Sequence, residues 1–424
     1  MSGWTTKKLG EVCEDSIRRL KDIADTKFLY IDIAAIDRER KIIVGATEHD
    51  RQTAPGRAQQ VVEVGDVLVS TVRPNLNAVA IVEQQPCVRR IASTGFCVLR
   101  ARECVLPRYI YYFTQVDKFI AKLVAVSEKA AYPSVTDKIV KDVSIPIPPL
   151  AEQKRIVAKI DAAFGKIDKL KANAEKNLAN AKELFQSALD EAMCPKKGWA
   201  EKRLGEVCET ITDGDHQPPP KVASGVPFLV ISDVSKGRLS FENTRFVPEE
   251  YYAKIPEAKK PKIGDVLLTV TGSFGIPVLV DTEKSFCFQR HIALLRSKQV
   301  IPRFLVYLLS SHESFKYFDK VATGTAQRTV SLSSLRNMEI VMPPFAEQER
   351  IVERIGGLKL KLDALQQNYA RQIADCAEMR QAILREAFEG RLCTREKGKW
   401  HLPEDWEAQD KALDAEIAED FYAD

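Results

Sequence analysis

The sequence predicts an α/β (α+β) fold in which two tandem globular domains are separated by two long antiparallel coiled-coil helices, related by a pseudo-twofold internal repeat. Three observations predict this fold: a repeat with an offset of 195 residues, apolar heptads after each repeated junction, and short β-branched runs between the repeated segments. The chain of 424 residues is long enough for two or three domains that each bury a core.

The repeat is visible at both ends of the unit. The segment GWTTKKLGEVCE at residues 3–14 returns as GWAEKRLGEVCE at 198–209, and PPLAEQKRIV at 148–157 returns as PPFAEQERIV at 343–352. Over the 23 residues that start at each of these proline junctions, 12 are identical, whereas unrelated sequences would share about one or two. The chain therefore contains a duplication.

Between the repeated ends the two copies diverge. The segment VGDVL at 64–68 matches IGDVL at 263–267, but residues 15–60 and 210–260 hardly resemble each other. Each unit thus has constant ends and a variable middle. The predicted boundaries are 1–147 for the first globular domain, 148–197 for the first helical spacer, 198–342 for the second globular domain, 343–393 for the second helical spacer and 394–424 for an acidic tail.

The tail contains a third echo of the repeat. In LPEDWE at 402–407, Trp406 takes the place that Trp4 and Trp199 have in the two units. Two interpretations stay open: a frayed acidic terminus, or the start of a third partial repeat that packs beside the N-terminus and closes a cyclic arrangement. The tail has four Lys or Arg against ten Asp or Glu, so residues 1–393 carry a net charge of +10. That excess permits nucleic-acid binding without proving it.

The globular domains have the pattern of small mixed α/β domains. Residues 67–72 and 79–82 are short β-branched runs around a Pro/Asn turn, which predicts a hairpin. Further strands are expected at 96–100 and 292–296. Segments 107–126 and 302–321 have helical patterns. We expect each domain to contain a curled antiparallel sheet rather than a large parallel one.

Each junction predicts a long helix. Two prolines fix an extended approach, and Glu152 then falls in the first turn, where its charge complements the helix dipole. Apolar residues follow at spacings of three and four for about six heptads. A helix of ~42 residues would be about 63 Å long and would act as a spacer. The residues expected in helix–helix and partner contacts are Ile156, Ile160, Ile167, Leu170, Ile351, Ile355, Leu358, Leu362 and Leu365. Helices that merely hold a dimer together would show the same heptads.

Composition predicts a folded cytoplasmic protein. Hydrophobic residues make up 45% and charged residues 29% of the chain. No basic start precedes an apolar run that resembles a signal peptide, and no apolar run is long enough to span a bilayer. The nine cysteines are scattered and never form C-x-x-C. We expect them to be reduced and structural, with no zinc site.

Motifs of catalysis are missing from the sequence. It has no nucleotide-phosphate loop of the form GxxxxGK[ST], no [DNS]PP[YF] motif of an amino-methyltransferase, and no nuclease pattern that can be placed. None of the five histidines lies at metal-ligand spacing from another. The segment DGDH at 213–216 could suggest a metal or acid/base site, but Asp-Gly followed by three prolines favours a turn.

These residues together resemble one family. The GWxxxxLGE starts, the two PP[LF]AEQxRIV junctions and the heptads that follow them look like the specificity subunit of type I restriction–modification systems. The resemblance covers essentially the whole chain. It implies that each globular domain is a target recognition domain for one half of a bipartite, asymmetric DNA sequence, and that the helices set the gap between the halves.

The same resemblance implies partners and places the chemistry on them. Two modification subunits would dock on the chain to form an adenine methyltransferase that uses S-adenosylmethionine, and motor-nuclease subunits that use ATP and Mg²⁺ would complete the restriction enzyme. The chain itself would bind double-stranded DNA, hold no cofactor or metal, and catalyse nothing. Two linked readers on one face of a duplex must lie about one turn apart, 10–10.5 bp, leaving a gap of roughly five to eight bp.

The candidate DNA-binding residues are polar or basic and lie in predicted loops or next to strands. Arg suits guanine and Asn suits adenine, while glycines in the second domain would let the backbone approach DNA closely. The loop GTAQR at 324–328 has the form associated with the family, and KAAYP at 129–133 departs from it. The candidates are Arg73, Asn75, Asn77, Arg89, Arg90, Tyr132 and Ser134 in the first domain and Thr271, Ser273, Gln289, Arg290, His291, Thr325, Gln327 and Arg328 in the second.

Two other functions remain open from the sequence alone. The first is a non-catalytic coiled-coil scaffold or adaptor that binds only proteins, which salt-sensitive, sequence-selective DNA binding would exclude. The second is the recognition part of a fused methyltransferase–nuclease, which would transfer methyl groups from S-adenosylmethionine without a partner.

Overall fold

Two compact units make up the described chain. The computed structural model describes residues 4–83, 88–128, 133–217, 221–325 and 327–392. One unit contains the described residues up to Glu175 together with those from Ala370, and the other contains Lys176–Tyr369. Each long helix therefore contributes to both units. The domain boundaries predicted at the proline junctions stay predictions, since parts of both helices complete each compact unit.

The first unit combines short strands with short helices. Its strands are β1 (Thr5–Lys8), β2 (Lys27–Ile31), β3 (Ile36–Asp37), β4 (Ile42–Ile43), β5 (Thr47–Asp50), β6 (Ala58–Val62), β7 (Val67–Ser70), β8 (Val79–Ile81), β9 (Arg90–Ser93), β10 (Phe96–Leu99) and β11 (Ser144–Ile147). Its helices are α1 (Leu9–Val12), α2 (Pro107–Phe113), α3 (Asp117–Ser127) and α4 (Asp137–Lys141), after which the long helix α5 (Leu150–Met193) begins.

The second unit repeats this order with local differences. Its strands are β12 (Ala200–Arg203), β13 (Thr210–Asp213), β14 (Val226–Leu229), β15 (Arg245–Val247), β16 (Val266–Thr269), β17 (Pro277–Leu279), β18 (Cys287–Phe288), β19 (Ile292–Arg296) and β20 (Glu339–Met342). Its helices are α6 (Leu204–Val207), α7 (Glu249–Lys254), α8 (Pro302–Leu309), α9 (His312–Val321) and α10 (Leu332–Arg336), followed by the long helix α11 (Phe345–Phe388).

The constant ends of each unit pair with each other. Strand β1 is antiparallel to β11 with Thr5 opposite Ile147, and β12 is antiparallel to β20 with Ala200 opposite Met342. Both members of the second pair lie 195 residues after those of the first. The conserved start and the conserved junction are therefore held together as one ribbon, which explains why the two ends repeat as a set.

The predicted hairpins and strands are present. Strands β7 and β8 form the hairpin, β10 pairs with β7, and β19, β16 and β17 are arranged in the same way in the second unit. The buried residues of these strands form the centre of each core.

Each unit contains an antiparallel sheet, ordered β10–β7–β8 in the first and β13–β19–β16–β17 in the second, but it is not the unit's only sheet among the described residues. Each unit has several small sheets, and one of them contains a parallel pair: β2 with β9, and β14 with β18. A parallel pair needs a long connection, here the 58 residues between Ile31 and Arg90 and the 57 between Leu229 and Cys287, so no local pattern predicts it. The variable segments 15–60 and 210–260 thus share a strand arrangement, with β5 and β15 on the other side of the parallel pair, although they do not share sequence.

Segments 107–126 and 302–321, which have helical patterns, each contain two helices. Between α2 and α3, the Thr114 hydroxyl donates to the Tyr111 carbonyl at 2.8 Å, and α3 starts three residues later. Between α8 and α9, the Ser311 side chain caps the new helix by accepting from the Ser314 backbone N–H at 3.3 Å. Hydroxyl side chains that satisfy free backbone groups stop one helix and start the next.

The long helices follow the predicted heptads. Each has 44 residues, which corresponds to about 66 Å. Positions seven residues apart on α5 are buried: Ile160, Ile167, Ala174, Ala181 and Ala188. Small alanines in the second half of this series allow close approach of a neighbouring helix.

The two helices run antiparallel within each unit. In the first unit the Cys376 thiol lies 4.0 Å from the Ile167 carbonyl, and Arg380 pairs with Asp168. In the second unit Lys359 lies over the Phe185 ring. Arg354 lies 3.4 Å from Glu191 in the same unit, so the numbering falls on α11 as it rises on α5. The antiparallel coiled coil is therefore confirmed.

Two identical ion pairs hold the hairpin sheets. Asp66 receives Nε of Arg100 at 2.8 Å and Nη2 at 2.6 Å, and Asp265 receives Nε and Nη2 of Arg296 at the same two distances. Both carboxylates are almost fully buried. Burial raises the pKa of Asp66, while the hydrogen bond that Arg100 donates to Asp66 raises the pKa of Arg100. The Gly-Asp-Val-Leu segment thus supplies, in each unit, the aspartate of a buried ion pair that stabilises the fold.

The junction glutamine is also structural. Gln153 accepts the Leu106 N–H through Oε1 at 2.8 Å and donates through Nε2 to the carbonyl of the first junction proline at 2.9 Å. Gln348 makes the same contacts with Ile301 and its own junction proline at 3.0 and 3.1 Å. Both side chains are buried. Each therefore fastens the start of a long helix to the loop before α2 or α8.

Several of the cysteines have buried thiols in the two units. Cys13, Cys208 and Cys287 are buried, and burial raises the pKa of each to about 12, so their thiols stay protonated. The helices of the described ranges include none with the length and hydrophobicity that a bilayer crossing requires.

Candidate nucleic-acid interface

In the first unit, the loop after β7 meets the loop before the junction. We call residues 71–78 the β7 loop. Val72 forms a bridge with Ser134, the Arg73 N–H donates to the Pro133 carbonyl at 2.7 Å, and Val135 donates back to Thr71 at 2.8 Å. Two segments about 60 residues apart in sequence thus form one surface. Among the candidates, this brings Arg73 and Ser134 together.

The second unit repeats this meeting of loops. We call residues 270–276 the β16 loop. Thr271 bridges to Thr329, and their hydroxyls lie 3.2 Å apart. The Gly272 N–H donates to the Arg328 carbonyl at 3.0 Å. The predicted candidates Thr271 and Arg328 therefore lie on one surface, and exposed Ser273 adjoins them in sequence.

The β7 loop is a turn of 3-10 helix, not a simple hairpin turn. Pro74–Leu76 form the 3-10 turn, flanked by Arg73 and Asn77 in left-handed backbone conformations with φ of 49° and 42°. Arg73 and Asn75 are exposed. Asn77 is half-buried, and its amide donates to the Thr114 carbonyl at 2.9 Å. The polar groups of Asn77 thus hold the loop, while those of Arg73 and Asn75 face solvent.

An aromatic and basic cluster adjoins the β16 loop. The Phe274 ring stacks on Phe315 with centroids 6.1 Å apart, and the Arg328 guanidinium lies 5.4 Å from the centre of Phe274. Arg328 also pairs with Asp319 at 2.6 Å. Phe315 is 47% exposed, which is unusual for so large an apolar side chain. We did not expect Phe274 and Phe315 from the sequence, because a single phenylalanine is equally typical of the core.

The segment Gln289–His291 lies between β18 and β19 and touches the base of the β16 loop. The His291 carbonyl accepts the Val270 N–H at 2.9 Å, and Arg290 Nε donates to the His291 ring at 3.3 Å. Burial, Arg290 and His216 all lower the pKa of His291. A neutral ring is the form that can accept from Arg290. Arg290 is exposed and Gln289 is half-buried.

The segment DGDH is not the expected turn. Strand β13 ends at Asp213, and Asp215 then bridges to Gln289. A Cβ on Gly214 would lie 2.0 Å from the Phe288 carbonyl oxygen, so only glycine permits this close crossing of two backbones. In the ranges that the structure describes, no group of three or more His, Cys, Asp or Glu side chains is arranged to hold a metal ion.

The remaining candidate DNA-binding residues differ in the exposure and ion pairing of their side chains. Arg89 pairs with Asp25 at 2.8 Å, and Arg90 starts β9, where burial lowers its pKa. Thr325 and Gln327 are exposed beside Gly324, whose φ is 105°. Tyr132 lies outside the described residues, as do the acidic tail and Trp406.

The apolar helix candidates are buried rather than exposed. Except for the half-buried Leu170, the side chains predicted for helix contacts are at most 8% exposed. Other apolar residues are exposed as repeat pairs: Leu150 and Phe345, at the junctions, are 41% and 57% exposed, and Val64 and Ile263, just before β7 and β16, are 53% and 60% exposed.

Comparison with known proteins gives one family. A family model described as "Type I restriction modification DNA specificity domain" matches residues 1–179 and 196–371. The EcoBI specificity subunit of Escherichia coli is 24% identical over 310 residues, 66% of this chain and 65% of that protein. The MjaVIII specificity subunit of Methanocaldococcus jannaschii is 27% identical over 268 residues, 58% of this chain and 62% of that protein. Each match thus spans slightly less than two thirds of the relative.

Two solved structures are also similar. A chain from a study of complex assembly and conformational transition of the type I R-M system is 31% identical, with a TM-score of 0.78 over 92% of this chain and 99% of that chain. The HsdS subunit of Thermoanaerobacter tengcongensis is 32% identical, with a TM-score of 0.55 over 92% of this chain and 98% of that chain.

Proposed function

We propose, from the premise that this chain belongs to the type I restriction-modification DNA specificity family, that each of its units reads one half of a bipartite, asymmetric DNA target. The chain is then a cytoplasmic DNA-recognition subunit that is not itself an enzyme. S-adenosylmethionine, and ATP with Mg²⁺, are bound by its partner subunits.

One observation carries the assignment of two readers. In both units the loop after the central strand bridges to the loop before the junction, through Val72 and Ser134 in one and Thr271 and Thr329 in the other. The framework positions this surface identically, yet the side chains on it differ. Arg73 and Asn75 can form bidentate contacts with base edges, whereas the second surface offers threonine, serine and arginine. Two similar frames with different polar groups support two different half-sites.

The junctions support docking of two partner subunits. Leu150 and Phe345 are exposed apolar residues at equivalent positions of the repeat, each at the first turn of a long helix. The recurrence of a large exposed apolar side chain at the same place in both units supports an interaction site there. We assign them to two copies of the modification subunit, with the helices α5 and α11 fixing the gap between the half-sites.

The decisive experiment is methylome sequencing of cells that express the chain with its modification subunit. Replacing residues 198–342 by the same region of another family member should change one half of the methylated motif and leave the other half intact. Deletion of whole heptads from both helices should alter only the gap. A swap that changes both half-sites, or a deletion that changes the half-sites and not the gap, would contradict the proposal.

The docking assignment has its own test by native mass spectrometry. Phe345→Glu should leave one modification subunit bound instead of two, and Leu150→Glu combined with Phe345→Glu should leave none. Leu360→Glu is the matched control, because Leu360 is 73% exposed on the same helix but has glycine at the equivalent repeat position. Retention of two subunits by the double variant would remove this assignment. Methyl transfer by the purified chain alone would instead support an enzyme.

A further inference from the structure

Three residues other than glycine adopt left-handed backbone conformations within one hydrogen-bonded group of the first unit. Arg73 and Asn77 flank the 3-10 turn of the β7 loop, and Lys41, with φ of 58°, is the last residue of the turn between β3 and β4. Arginine and lysine rarely adopt such conformations, and strained backbone of this kind clusters at functional sites, where surrounding contacts hold it in place.

Lys41 supplies the contact that joins these residues. Its ammonium donates to the Asn77 carbonyl at 2.6 Å and to Asn77 Oδ1 at 2.9 Å. Asn77 in turn donates through its amide nitrogen to the Thr114 carbonyl. The last residue of the β7 loop is therefore held on both sides, by a charged donor from the β3–β4 turn and by the end of helix α2.

The β3–β4 turn is itself fixed to rigid elements of the same unit. The Tyr111 hydroxyl donates to the Lys41 carbonyl at 3.2 Å, and Glu39 pairs with Lys171 of the long helix at 2.8 Å. Lys41 therefore transmits the position of α2 and α5 to the β7 loop. The Lys41 side chain is half-buried, and its ammonium donates two hydrogen bonds to Asn77.

We propose that Lys41 is a positioning residue for base discrimination by the first unit. By fixing Asn77, it sets the backbone that presents Arg73 and Asn75, without touching DNA itself. The inference rests on the proposed function of the β7 loop and adds a specificity determinant that lies outside that loop.

Among the residues that the structure describes, the second unit holds its equivalent loop without a lysine. In the β16 loop the left-handed positions are Gly272 and Gly275, with φ of 69° and 83°. Glycine adopts these angles without strain, so no lysine is needed to hold them. The effect of Lys41 should therefore be confined to the half-site read by the first unit.

The test compares Lys41→Met and Lys41→Arg in complexes with the modification subunit. Competition binding against duplexes with single base changes in each half-site gives discrimination at every position. Lys41→Met keeps the aliphatic stem and should reduce discrimination at the first half-site about tenfold, with the second half-site unchanged. Lys41→Arg keeps a charged donor and should restore most of it. Lys27→Met, which removes an exposed ion pair with Glu48 in the same unit, is the control.

A second variant covers the case in which Lys41→Met does not fold. Asn77→Gly removes the side-chain acceptor of Lys41 and the amide donor to Thr114 but allows the same backbone angle, so it should relax the first half-site alone, and the double variant should lose less than the sum of the two single losses. Equal loss at both half-sites, or unchanged discrimination, would overturn the role of Lys41. If the wild-type complex shows no bipartite preference, the proposed function fails first and this inference fails with it.

Discussion

The β7 loop and the β16 loop occupy equivalent places and are built by different means. The first uses strained Arg73 and Asn77 held by Lys41, and the second uses Gly272 and Gly275 beside the Phe274–Phe315 stack. The frames beneath them agree closely, since the buried Arg–Asp pairs have identical hydrogen-bond distances in both units. The two copies therefore share the residues that orient the loops and differ in the loop residues that face solvent.

The largest loss of stability should come from removing the buried Arg–Asp pair that both units share. Asp66→Ala should destabilise the first unit by about 3–5 kcal/mol, because it removes the two-point carboxylate partner of a mostly buried guanidinium, which keeps only the more exposed Glu63 and Glu14 at 3.4 and 3.9 Å. Asp265→Ala should do the same in the second unit. Hydrogen exchange followed by mass spectrometry reports each unit separately, so the loss of protection should stay within the altered unit.

An exposed ion pair provides the control for this comparison. Asp15 pairs with Arg102 at 3.0 Å, but its side chain is 87% exposed, so Asp15→Ala should cost no more than about 1 kcal/mol. Combining Asp66→Ala with Arg100→Met should recover much of the stability, since the poorly paired charge is then gone. Equal effects of Asp66→Ala and Asp15→Ala would show that the frame does not depend on the pair.

The sequence revealed the parts of this frame that repeat or are periodic. The heptads of α5 and α11, the hairpin at β7 and β8, and the paired junctions are local or duplicated signals, which one sequence can display. The parallel pairing of β2 with β9 joins distant segments and left no local trace. The roles of Gln153 and Asn77 are equally hidden, because a polar residue that satisfies backbone groups looks the same in sequence as one that faces DNA.

The next effect should come from the junction glutamines. Gln153→Ala leaves the buried Leu106 N–H and its own junction carbonyl without partners, which should cost about 1–3 kcal/mol. Gln153 also donates to the Cys104 carbonyl at 3.1 Å, so Gln348→Ala should cost somewhat less. Urea unfolding of each variant measures the difference. A larger loss for Gln348→Ala would contradict the hydrogen-bond account of this asymmetry.

Glycines of the repeated Gly-Asp segment should show a smaller effect of the same kind in both units. Gly65 and Gly264 have φ of 92° and 90°, so alanine there should cost about 1–2 kcal/mol. Gly56 has no atoms within 4 Å of an added Cβ, and Gly56→Ala should stabilise by about 0.4–1 kcal/mol by restricting the unfolded chain. Thermal unfolding should therefore shift in opposite directions. A shift of one sign for all three substitutions would contradict the role of the backbone angle.

The smallest expected effect is a pH dependence of stability that Lys41 gives to the first unit and not to the second. Burial, together with the nearby charges of Arg38 and Arg380, lowers the pKa of Lys41 from 10.5 to about 8, while Asp37 opposes the shift. Between pH 8 and 10.5 the unfolded chain therefore holds a proton on Lys41 that the folded unit has released, and the stability of the first unit rises with pH in that window.

Solvent at this half-buried side chain should keep the total change below about 1 kcal/mol. Hydrogen exchange of peptides from the first unit between pH 7.5 and 9.5, corrected for the intrinsic exchange rate, should show the rise in wild type and lose it in Lys41→Met. Peptides of the second unit should respond identically in both proteins, because the β16 loop relies on glycines instead. A slope that persists in Lys41→Met would assign the released proton to another titrating group of the first unit.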